Sequence, residues 1–100
     1  MNRFERDAFR LEKIIHDRLP LKAWPASEAL RNDAVLADKL KEGEVKEFNG
    51  VVYFPKTKTV YCSFYDDAAK VAVLVPVEDL FFEDTEVQKE VHAFAEAYFA

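Results

Sequence analysis

Glycine occurs only at Gly43 and Gly50, and cysteine only at Cys62, in a chain of 100 residues. Two isolated glycines cannot frame a phosphate cradle, so P-loop and dinucleotide-fingerprint chemistry are excluded. A lone cysteine cannot close an internal disulfide, which points to a reducing compartment. The opening "MNRFERDAFR" has no apolar core of a signal peptide, and no apolar run approaches the ~20 residues of a membrane span. Neither export nor a membrane contact is expected, and the expected location is the cytoplasm. The two histidines sit on different predicted helices, His16 one turn after Glu12 and His92 one turn from both Gln88 and Glu96, and neither set supplies the three or four good donors a zinc site needs. No metal and no cofactor is expected.

Basic residues are scarce in the second half. Residues 1–50 carry ten Lys/Arg and ten Asp/Glu, residues 51–100 four and nine, so the net charge of -5 arises entirely after residue 50. General nucleic-acid binding wants a basic field and is not expected. An acidic surface suits a basic protein partner.

What is present is a core-forming composition: 50% hydrophobic, 14% aromatic and 33% charged residues. That balance describes a folded chain rather than a disordered one, and its size suits one domain over residues 1–100.

Phe4, Ala8, Leu11, Ile15 and Leu19 recur at helical spacing and predict a helix from Arg3 to Leu19, stopped by Pro20. A second helix is expected between Pro25 and Gly43, capped by Ser27 or, after an interruption at 31–33, by Asn32, with Gly43 as its left-handed terminator. Trp24 is expected as a core plug at the junction of these helices. From Glu44 the apolar period becomes two. Asn49-Gly50 reads as a type I′ turn pairing Phe48 with Val51. Hydrophobic matching then pairs Phe54 with Val60 and Phe64 with Val71. The segment 77–84 is ambiguous between a helical turn and a short strand. Thr85 and Gln88 form a capping box for a last helix striped by Val87, Val91, Phe94 and Tyr98. The expected architecture is α+β: a four-stranded antiparallel β-meander over about 44–75, with two N-terminal helices and one C-terminal helix packed on it.

In that register Phe54, Val60, Cys62 and Phe64 face the core, and Cys62 is a structural thiol rather than a nucleophile. Ser63, mid-strand, has no strained turn to present it. The other sheet face carries Phe48, Tyr53, Tyr61, Tyr65 and Leu74, bordered by Asp66 and Asp67. Tyrosine offers contact area with a polar tip at little entropic cost. Without a catalytic constellation, binding is expected rather than catalysis: an inhibitor, immunity-type or adaptor protein using those seven residues. The alternatives are a homodimer with a ligand pocket between subunits, and a small enzyme with His92, Glu96 or Tyr98 facing a polar cleft.

Overall fold

The computed structural model describes residues 1–26, 28, 34–41 and 43–99, without the side chains of Val35 and Leu36. Helix α1 spans Arg3–His16, and Asn2 caps it by accepting the Glu5 N–H at 2.8 Å. Ala8, Leu11 and Ile15 are buried and Phe4 and Leu19 pack beside them, as the apolar stripe predicts. The helix stops before Leu19 because a residue preceding proline disfavours helical backbone; the Leu19-Pro20 peptide is cis.

The next segment departs from expectation. Leu21–Pro25 is strand β1, hydrogen-bonded on one side to β2 (Lys46–Phe48) and on the other to β6 (Leu80–Phe82), both antiparallel. Alternating burial of Leu21, Ala23 and Pro25 marks its inner face. Trp24 is therefore no core plug: half-buried on the outer side, it stacks on its cross-strand partner Phe81, with centroids 6.1 Å apart. Helix α2 covers Ala34–Lys39; the Ser27 cap, the alternative Asn32 cap and the interruption at 31–33 lie outside the described residues. Gly43 has the expected positive φ of 75°, four positions beyond Lys39.

A second three-stranded sheet follows, β3 (Gly50–Phe54), β4 (Thr59–Asp66) and β5 (Val71–Pro76), in the order β3-β4-β5. The α+β class is as expected, but the single meander resolves into two sheets. Asn49-Gly50 is not a hairpin turn, because β2 pairs with β1 and the chain crosses between sheets at this point. Asn49 donates its N–H to the Ser63 carbonyl at 3.0 Å, and Gly50 pairs with Ser63 so closely that a Cβ would meet the Ser63 hydroxyl.

Both later hairpins close on four-residue loops whose last residue is a left-handed lysine, Lys58 (φ 52°) and Lys70 (φ 57°). The first pairs Phe54 with Thr59 rather than Val60, a slip of one residue that exchanges the faces of β3. The second pairs Phe64 with Val73 rather than Val71, a slip of two that preserves them.

After β5 a 3-10 turn over Val77–Asp79 leads into β6, so both readings of this segment apply to successive parts of it. Helix α3 spans Thr85–Tyr98, but its cap is Asp84, which accepts the Glu86 and Val87 N–H groups at 3.0 and 3.2 Å. Gln88 accepts the Phe82 N–H at 2.8 Å, tying β6 to the helix start. Asp84 also receives the Arg18 guanidinium at 3.0 Å, pinning the end of α1 to the beginning of α3. The helices run antiparallel, with Phe4 against Phe94 and Tyr98, and α1 lies on β3 and β4. One hydrophobic cluster joins both helices and both sheets.

Candidate functional site

The face of β3-β4-β5 turned away from α1 follows from the register. Val52 and Phe54 come from β3, Tyr61 and Tyr65 from β4, and Leu74 and Pro76 from β5, with Thr59, Ser63 and Ala72 between them. No position on it is charged. Phe54, Tyr65 and Leu74 are 39%, 57% and 40% exposed, so at these positions the face meets solvent. Phe54 and Tyr61 pack diagonally with ring centroids 5.3 Å apart, and Leu74 lies opposite Ser63, diagonal to Tyr65.

Three of the seven expected contact residues, Tyr61, Tyr65 and Leu74, are together on this face. Tyr53 and Phe48 are not. The slip at the β3-β4 loop turns Tyr53 inward, where it is buried beside Phe4 and Phe9, and its main-chain N–H donates to the Glu12 carboxylate at 2.8 Å. Burial raises its phenol pKa. Phe48 belongs to β2, fully buried with its ring edge-on to Phe64 at 5.4 Å. Conversely, Phe54, expected in the core, is on the open face. Alternation alone could not reveal this exchange, because β3 is apolar on both faces.

Of the two acids at the far end, Asp66 serves the fold. Its carboxylate pairs with Lys39 at 2.9 Å and accepts the Ala68 and Ala69 N–H groups; the Lys39 hydrogen bond, more than any other contact, holds its pKa below the ordinary value. Asp67 is exposed. At the opposite end, Tyr61 Oη donates to Thr57 Oγ1 at 3.3 Å, drawing the 55–58 loop over the edge of the open face.

Cys62, His92, Glu96 and Tyr98 lie elsewhere and do not converge. Cys62 is fully buried, and burial pushes its thiol up to about 12, far from a reactive thiolate. His92 and Glu96 pair with each other at 3.3 Å on the exposed side of α3, while Tyr98 donates to Asp7 at 2.5 Å. The groove between α1 and α3, rimmed by Asp7, Arg10, Glu90 and Tyr98, holds about 130 Å³, well under the ~300 Å³ of a small-molecule pocket. Among the described residues, no group of three His, Cys, Asp or Glu side chains is placed to hold a metal.

Glu78, in the 3-10 turn, is half-buried, and its Oε2 is shielded from solvent without a hydrogen-bond partner. Burial, reinforced by the charge of Asp79, raises its pKa. A raised carboxyl pKa favours the folded state below the unfolded value and loses that contribution as pH rises through the folded one. Glu78→Gln is accordingly expected to stabilise the protein by about 1 kcal/mol at pH 7, where the wild type holds a half-buried carboxylate with one unsatisfied oxygen. The gain should shrink as pH falls towards ~4, where both side chains are neutral. Urea unfolding at both pH values checks this; an equal effect at both would remove the charge as its cause.

No protein-family model, no curated protein and no solved structure matches this chain.

Proposed function

We propose that this chain is a small protein-binding module, of the inhibitor, immunity-type or adaptor kind, that holds its partner on the open face of β3-β4-β5 without catalysis. The observation that carries this reading is the uncharged strip Phe54, Tyr61, Leu74 and Tyr65, left partly in solvent while Tyr53, Val60, Cys62, Phe64 and Val75 of the same sheet are buried on its other side. Aromatic and aliphatic side chains on a rigid sheet supply a contact area that loses little entropy on binding. The structural role of Asp66 leaves Tyr61, Tyr65 and Leu74 as the principal residues expected earlier, now joined by Phe54.

Changing Tyr65 and Leu74 together to Glu is expected to lower partner capture from native lysate by about tenfold or more, the scale of losing a hot spot. Each change should cost the fold less than about 1 kcal/mol, because both positions are exposed. Capture followed by mass spectrometry reads the first effect and urea unfolding the second. Equal capture by the variant and the wild type would remove this face from the function.

A second reading, self-association, is favoured by β5. Among the described residues it is paired on one edge only, and its sequence VAVLVP carries no charge to discourage another strand. Light scattering over a concentration series separates the two readings: the module reading expects 11.6 kDa throughout. Twice that mass, reduced to the monomer by Leu74→Glu, would make the partner a second copy.

A further inference from the structure

The charge around the open face has the opposite sign to that of the chain. The acids of the second half are concentrated in the 3-10 turn, the β6-α3 connection and α3, and Asp66 is paired with Lys39. At the β3-β4 end, Lys56 and Lys58 are exposed, and neither forms an ion pair with another described residue. The Tyr61-Thr57 hydrogen bond holds the loop that carries them beside Tyr61 and Phe54. Lys58 takes the same left-handed position as Lys70 in the other hairpin loop, where glycine or asparagine would be less strained. At the other end, Lys70 is accompanied by Asp67, and the local charges offset.

We propose, on the basis of the protein-binding reading, that the occupant of this face is an acidic polypeptide segment. Its carboxylates meet Lys56 and Lys58, and its apolar or aromatic side chains lie along Tyr61, Leu74 and Tyr65. From Thr59 to Tyr65 the strand runs ~20 Å, the reach of about six extended residues. Acidic positions are therefore expected at one end of a short apolar stretch. The one-sided distribution of charge favours a polypeptide over single-stranded nucleic acid, whose continuous phosphate chain needs cations along the whole groove and would meet Asp67. This replaces the basic partner suggested by net charge, because recognition depends on the field at the contact surface.

The test pans a displayed random-peptide library against the wild type, Lys56→Glu/Lys58→Glu and Tyr65→Glu/Leu74→Glu. Wild-type selection is expected to enrich Asp and Glu beside apolar residues. A synthetic peptide from that pool should lose about tenfold or more in affinity on the lysine reversal, and should weaken between about 50 and 500 mM sodium chloride. Peptides that require Tyr65 and Leu74 but show no acidic bias, or that bind the lysine variant equally, overturn this inference and leave the face reading standing. No enrichment, or enrichment indifferent to Tyr65 and Leu74, overturns both. A labelled 20-nucleotide oligothymidylate bound more tightly than any selected peptide, and lost in both variants, overturns both in favour of nucleic acid.

Discussion

Tyr53→Glu is expected to unfold the protein, whereas Tyr61→Glu, on the neighbouring strand, should leave it folded. Tyr53 is 6% exposed, its ring edge-on to Phe9 at 5.1 Å and also near Phe4. Removing a buried aromatic side chain costs about 3–5 kcal/mol, before any penalty for a carboxylate facing the aromatic cluster. Against a total stability of roughly 5–15 kcal/mol for a domain of ordinary size, that sum consumes most of the margin. Tyr61 is only half-buried and points to the opposite face, with its hydroxyl on Thr57, so its replacement should cost about 1 kcal/mol. Urea unfolding of the two variants decides the matter. Similar midpoints would mean that the β3-β4 register, and with it the composition of the open face, is misassigned.

The contrast between these tyrosines shows which parts of the fold are readable from sequence. The stripes of α1 and α3 are, because a helix buries a side that recurs every three or four residues and the intervening positions are polar. Gly43 is also legible, since few residues accept its positive φ. The register of β3 against β4 is not: GVVYF is apolar at successive positions, so either face satisfies the hydrophobic pattern and a one-residue slip carries little visible penalty. Nor was the fate of Asn49-Gly50 legible. A strong local turn signal yielded to β1, more than twenty residues earlier, which claimed β2 as its partner. β1 itself lay hidden because Pro20 and Pro25 bracket it like a loop and its five residues provide too short an alternation to stand out. Tyr61, Tyr65 and Leu74 were identifiable because the two-residue slip between β4 and β5 retains their side of the sheet; Phe54 and Tyr53 exchanged roles because the other slip does not.

Phe48→Ala is expected to cost about 3–5 kcal/mol, the range for truncating a fully buried aromatic ring. Phe48 ends β2 opposite Leu21, while its ring meets Phe64 from β4, so this single side chain joins the first sheet to the second. The hairpin expected from Asn49-Gly50 would have placed Phe48 on the open face, where truncation costs about 1 kcal/mol or less, and the measured loss therefore discriminates between the two arrangements. A double-mutant cycle with Phe64→Ala sharpens the test. If the rings touch edge-on across the sheets, the double variant should lose less than the sum of the single losses by about 0.5–1.5 kcal/mol. Additive losses would place the two rings in separate parts of the core. A coupled pair would establish that the open face is backed by a continuous packed joint, the condition under which Tyr61, Tyr65 and Leu74 are held in a fixed array for a partner.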